Sequence, residues 1–493
     1  MITASMLYSF STCPHRVALD LFGDPMERDE ISPFVELLWE RGSLFEKETI
    51  EKLGMPFLNL REVPRIEREG LTMRAILSGE DLIYGGRISH AGLLGEPDLL
   101  RRTNAGYIPG DIKSGAGLEG QSENSDGKPK KHYALQLALY ADILQGKGWA
   151  ESGNAFIWDI HGQEISYDLD AARGPRTSQT MWEEYTDALE AVTAISVQAI
   201  ETHPALVGAC KLCHWRSHCR RQINESDDLT LLSELGRSRR DKFPPQIRTV
   251  RSLANIDLNS LIPGGRSIIP GIGAKTLRTY HARAVLQKQE HAQPYFTAPV
   301  ELPTASVELF FDVETDPFRD LCYLHGFVVR ANGDNTTERF ETFTADEATP
   351  ELEKQAFGDA WRFVQEHADA VVYYYSPYER TIWKRLARDY PEVASENDVL
   401  ALFEQPRFVD LYQDVVRSKM IWPTPSLSIK ALAKFLGFQW RDTDPSGAAS
   451  VQWFHQWVES GDITIWNRIL EYNEDDCRAM RVLADALREI GRG

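Results

Sequence analysis

Three cysteines fall within eleven residues, Cys210, Cys213 and Cys219 in "ACKLCHWRSHC" (209–219), in a chain that has only six. Three thiolates leave a zinc or iron–sulfur site one protein ligand short. No histidine or cysteine follows at zinc-finger spacing, so the fourth ligand must come from far away in sequence. Any fold that completes such a site has to bring two distant segments together.

The rest of the composition sets the frame. At 493 residues the chain is too long for one core, so two or three domains are expected, and 42% hydrophobic with 26% charged residues suits a self-sufficient globular protein. No apolar run approaches the roughly 18 residues of a membrane span, and "MITASMLYSFSTCPHR" lacks a signal-peptide pattern. A cytoplasmic protein without a membrane partner is the expectation, and in a reducing compartment clustered cysteines point to metal rather than disulfides. Cys322 and Cys477 stand alone and are expected to be buried.

The net charge of −19 does not suggest a nucleic-acid binder, but it is unevenly spread. Residues 223–300 carry +4, between flanks of −9 (1–222) and −14 (301–493). A basic segment between acidic lobes can touch a phosphate backbone, although a solvated surface gives the same bias. The first 222 residues mix helical periodicity with short strand-like runs, with a polar loop expected over 121–131, "QSENSDGKPKK". From 306, strand-like "VELFFDVET", "LHGFVV" and "AVVYYYS" alternate with helices. An α/β multidomain architecture is predicted.

Two constellations carry chemistry. In "GEPDLLRRTNAGYIPGDIKSG", Asp98 lies near one strand, and Asp111 and Lys113, two apart on the next, share a face. Two carboxylates can hold magnesium, with Lys113 beside the attacking water. Gln136 and Tyr140, four apart in "HYALQLALY", occupy one helix face. In the second, "FFDVETD" aims Asp312 and Glu314 from one face of an apolar strand, a costly pairing without a cation. Glu379 in "YYYSPYERT" follows, then Tyr472 and Asp476 at helical spacing in "YNEDDCRAM". Between the two, "IIPGIGAKTLRTYHARA" flanks Ile272 with Gly271 and Gly273 ahead of a helix bearing Lys275, Arg278 and Arg283. Exposed amides at such a turn can hold phosphate.

The order Cys13, P-D, D-I-K, Q-x3-Y, C-x2-C-x5-C resembles the RecB-like nucleases of the PD-(D/E)xK superfamily, in the subgroup with four cysteines bracketing the domain, as in AddB. The resemblance implies that Cys13 is the fourth ligand and that Cys13, Cys210, Cys213 and Cys219 hold a four-iron, four-sulfur (4Fe-4S) cluster; zinc is the alternative for four thiolates. It implies Asp98 and Asp111 as metal ligands and Lys113, Gln136 and Tyr140 as catalytic residues. These nucleases carry a histidine ligand on an early helix, four residues after a glycine, where "RGSLFEKE" has Glu46; relatives with closer spacing would select Phe45, which cannot bind metal.

The second constellation resembles the DEDD exonucleases of the ribonuclease-H-like fold, of which DnaQ is one. That implies Asp312, Glu314, Glu379 and Asp476 as ligands of two Mg2+ or Mn2+ ions and Tyr472 as the residue orienting water, with Asp410 in "RFVDLYQ" a rival third acid. The glycine turn resembles a helix-hairpin-helix DNA-binding motif that would use Gly271, Gly273 and Lys275, with "GRSRRDKFPPQIRTVRSLANI" a degenerate copy. The arrangement as a whole resembles a bacterial family of RecB-like nucleases with a C-terminal ribonuclease-H-like exonuclease domain. The expected domains are therefore 1–222 (nuclease with cluster), 223–300 (DNA-binding linker) and 301–493 (3′–5′ exonuclease). The resemblance implies DNA as partner, in repair or end processing, with any unwinding left to a separate helicase. A ribonuclease, or a binding scaffold with an inactive first site, are the alternatives.

Overall fold

The computed structural model describes residues 1–122, 125–150, 153–174, 177–443 and 445–491. The chain forms two compact units, Met1–Pro204 with Gly208–Cys219, and Ala205–Val207 with Arg220–Gly493.

The first unit is built on a six-stranded mixed sheet, in the order Glu164–Asp168, Asn154–Trp158, Gly106–Ile112, Leu99–Thr103, Leu82–Tyr84, Leu58–Asn59. Gly106–Ile112 and Asn154–Trp158 run parallel, which requires a crossover, and the helix Lys131–Gly146 supplies it. Ten of its residues are buried, so it is apolar nearly all round rather than striped. The antiparallel register pairs Leu99 with Gly110, which places Asp98 beside Asp111. Residues 118–129, expected as loop in part, instead pair as the strands Leu118–Ser122 and Ser125–Pro129, with 123–124 outside the described residues.

In the second unit a five-stranded sheet runs Asp334–Thr344, Leu321–Ala331, Val307–Asp316, Val371–Tyr374, Phe408–Asp410. The first three strands form an antiparallel meander and the last two join in parallel. Strand alternation divides the core. Leu309, Phe311 and Val313 pack with Phe357 and Trp383 of the helices Pro350–Glu366 and Tyr378–Asp389. Phe310, one step out of phase, packs with Met480, Leu483 and Leu487 of the 28-residue helix Ile463–Ile490. Asp312 and Glu314 share the phase of Phe310, so they face this long helix. Residues 229–284 are short helices around their own small core of Phe243, Val250, Leu277 and Tyr280. No helix among the described residues is long and apolar enough to cross a membrane.

Candidate active sites

The paired carboxylates of the second unit converge as the strand geometry predicts. Oxygens of Asp312, Glu314 and Asp476 all lie within 4.8 Å of one another. Room for this comes from Gly326, which pairs with Asp312 across the sheet. A Cβ at Gly326 would stand 1.7 Å from Oδ1 of Asn473, a side chain whose amide donates to Asp312 Oδ2 at 2.7 Å. Burial, then Asp476, pushes Glu314 up to about 8. Asp312 is driven well above the carboxylate range by burial and by Glu314, Asp476 and Glu379.

Glu379 opens the helix Tyr378–Asp389 and lies outside that trio, although its charge acts on Asp312. Its Oε2 is buried without a hydrogen-bond partner, and burial followed by Asp410 raises its pKa well above normal. The turn before it is strained: Ser376 has φ 104°. Asp410 is committed elsewhere, its Oδ1 accepting backbone N–H groups of Ser376 (3.1 Å), Tyr412 (2.9 Å) and Gln413 (2.9 Å). Asp410 Oδ1 thus serves the backbone, while Glu379 Oε2 is left without a partner.

Tyr472 and Asp476 sit on one face of the long helix, as their spacing predicts, with the Tyr472 phenol raised well above its usual pKa by burial and by the surrounding carboxylates. Sequence reasoning missed three neighbours. Lys430 Nζ donates to Tyr472 Oη at 2.6 Å and to Asp476 Oδ2 at 3.1 Å; Trp440 Nε1 donates to Asp476 Oδ1 at 2.7 Å; Asn473 holds Asp312. No spacing rule links Lys430 or Trp440 to the acids. Asn473 did lie within the quoted motif, one residue from Tyr472.

In the first unit, Lys113 Nζ lies 2.9 Å from Asp111 Oδ2, and the Ile112 N–H donates to Asp98 Oδ2 at 3.0 Å. Burial, then Asp111 and Glu46, pushes Asp98 up to about 7 against the pull of Lys113. Burial alone would lower the Lys113 ammonium, but Asp111 and Asp98 outweigh it and hold it above its usual pKa. Gln136 Nε2 donates to Tyr140 Oη at 3.4 Å, leaving its buried Oε1 without a partner. Glu46 reaches this neighbourhood, while Phe45 turns into the apolar cluster of Ile50, Leu82 and Tyr84. Glu46 is held by the Tyr84 hydroxyl (2.9 Å) and Arg61 (3.1 Å).

Cys13 ends the helix Ala4–Thr12 and begins Pro14–Phe22. The other three cysteines lie around Gly208–Leu212 and on Arg216–Glu225. The two segments are tied together: Trp215, fully buried, donates from Nε1 to Asp20 at 2.8 Å, His214 meets the same carboxylate at 2.7 Å, and the Asp29 N–H donates to the His214 carbonyl at 2.7 Å. Burial raises the Cys213 thiol, and Cys13 and Cys210 are near enough to raise it further. Among the described residues the four cysteines do not come together as a metal-binding group. Cys322 and Cys477 are buried, as expected.

At the glycine turn, Gly271 takes φ 70° and Gly273 precedes the helix Ala274–Gln287. Ile272 is buried beneath the turn, Lys275 and Arg278 are exposed, and Lys242 lies against Gly271. Arg283, read as one of the helix's cations, is 2% exposed and bound to the Ser233 carbonyl and Glu234, so it serves the core instead.

Residues 9–220 match the PD-(D/E)XK nuclease superfamily and residues 309–488 match the RNase_H superfamily, each over one of these carboxylate sites. No curated protein gives a significant match to the chain. The chain thus carries two nuclease-superfamily domains.

Proposed function

We propose that the chain is a metal-dependent hydrolase of DNA phosphodiester bonds with two nuclease modules, acting in the repair or processing of DNA ends, and that the C-terminal module removes nucleotides stepwise from a 3′ end. The convergence of Asp312, Glu314 and Asp476 within 4.8 Å carries this reading. The three converging carboxylates, two of them with raised proton affinity, together with the unpartnered Glu379 Oε2, form a donor set of hard oxygens that suits Mg2+ or Mn2+. Bound there, a divalent pair supplies charge stabilisation for the attacking and leaving oxygens of an in-line displacement. The chain's own part is positional: Asn473 fixes Asp312, Trp440 fixes Asp476, and the neutral Tyr472 phenol offers a hydrogen bond to the attacking water.

The test is digestion of 3′- and 5′-labelled single-stranded DNA, duplex DNA and RNA with Mg2+ or Mn2+. Stepwise shortening of DNA from the 3′ end is expected. Preference for RNA would move the substrate class, and no cleavage of any substrate would end the proposal. In the same assay Glu379→Gln loses about a hundredfold or more, as for removal of one electrostatic stabiliser, whereas Asp410→Asn loses little. The reverse pattern would exchange their roles.

In the first module, Asp98 and Asp111, with Glu46 turned away from Arg61, are the proposed ligands, and Lys113, Gln136 and Tyr140 surround them. The turn at Gly271, Gly273 and Lys275 is the proposed backbone contact with DNA. The four cysteines are proposed to hold a four-iron, four-sulfur cluster, with the ties from Asp20 and Asp29 to the segment around Trp215 bringing their two segments together. Protein purified without oxygen is expected to contain about four irons per chain, and Cys13→Ser to lose both iron and solubility. Stoichiometric zinc in colourless, folded protein would contradict this.

A further inference from the structure

Lys430 is the lysine that reaches into the second acid cluster. It stands in the first turn of the helix Ile429–Phe435, whose N-terminus is capped by Ser428. Its Nζ bonds Tyr472 Oη and Asp476 Oδ2, and lies 4.6 Å from the centre of the Tyr472 ring. With Trp440 on Oδ1, both oxygens of Asp476 are already occupied by N–H donors. Each oxygen keeps a second lone pair, so a divalent ion using Oδ2 binds beside the ammonium and is repelled by its charge unless the lysine swings away. The two donors differ in freedom to move: the Lys430 side chain is 31% exposed, so it can swing on its flexible stem, whereas the indole of Trp440 is rigid.

We infer that Lys430 is a positioning residue that acts as a resident counter-ion: it holds Asp476 and Tyr472 in register in the metal-free site and competes with the divalent ion for Asp476. Displaced from Asp476, it retains Tyr472 as its partner and keeps a positive charge beside the site where phosphate must bind. The cost is a weaker hold on metal, since two cations share one carboxylate. The gain is that the catalytic phenol is already oriented before metal and substrate arrive. A surface lysine merely decorating the cluster would leave metal affinity unchanged.

This inference rests on reading the acid trio as a metal site, and one titration separates the two. Mn2+ binding is measured without nucleic acid on wild type, Asp312→Asn, Lys430→Met, Lys430→Gln and Lys430→Arg, counting only the sites that Asp312→Asn removes. Lys430→Met and Lys430→Gln are expected to bind Mn2+ about tenfold tighter, the loss of one nearby like charge in a partly buried site. Both should turn over about 10–100-fold more slowly, because Tyr472 loses its anchor. Lys430→Arg should bind Mn2+ as wild type does. Unchanged or weaker Mn2+ binding in both neutral variants, with wild type binding normally, overturns the inference about Lys430. If wild type and Asp312→Asn bind Mn2+ alike, the metal-site reading itself fails.

Discussion

Asp312→Asn is expected to abolish stepwise 3′ digestion, by at least about a thousandfold, and at the same time to raise the melting temperature of the metal-free protein. Both effects follow from one cause. Both carboxyls are raised chiefly by burial, Asp312 further by Glu314, Asp476 and Glu379, and Glu314 further by Asp476. A neutral amide at 312 removes the cost of holding an acid there, roughly 1–2 kcal/mol, which corresponds to about 3–6 °C for a domain of this size. In EDTA the wild type should also lose stability as pH rises. An acid whose folded pKa is raised binds protons that the unfolded chain has released, so stability falls from the ordinary 4.5 of Glu314 towards its folded value of about 8. Added Mn2+ should offset that loss, and Asp312→Asn should flatten the slope. A variant that melts lower than wild type in EDTA, or still digests 3′ ends, would contradict the account.

Lys113→Ala should have the larger structural effect in the first module. Asp111 is 1% exposed and its Oδ2 faces the Lys113 ammonium at 2.9 Å. Removing the lysine leaves a buried carboxylate without its cation, at a cost of about 3–5 kcal/mol. The double change Asp111→Asn with Lys113→Met should recover most of that stability, since no charge is then left uncompensated. Neither should cleave DNA in an Asp312→Asn background. The comparison separates catalysis from folding: the single variant is unstable and inactive, the double variant stable and inactive. Residual cutting by the double variant, equal to that of Asp312→Asn alone, would show that this module binds rather than cleaves.

What the sequence disclosed, and what it withheld, follows from the range of each signal. Asp312 with Glu314 and Tyr472 with Asp476 were legible because periods of 2 and 3.6 bind each pair locally. The choice between Glu46 and Phe45 was not, because one helical step turns a side chain by about 100° and only packing says which face is inward. Lys430 and Trp440 lie 46 and 36 residues from Asp476 and reach it only through tertiary packing. The burial of Arg283, bound to a carbonyl and a carboxylate of the small core, was likewise set by tertiary packing rather than by spacing. The ribbon at 118–129 was hidden because a polar, glycine-bearing run carries no apolar alternation to mark a strand.

The ties from Asp20 and Asp29 to the segment around Trp215 set a schedule for the chain's birth. At roughly 5–20 residues per second of synthesis, the partner of Asp20 leaves the ribosome about 10–40 s after Asp20 itself. Through that interval the helix Pro14–Phe22 has no Trp215 to cover Gly23, and its Leu21 and Phe22, exposed even in the finished fold, are open to any passing apolar surface. The first unit cannot close as it emerges; it waits for its own last residues, and a chaperone that shields its opening helices would find its work there.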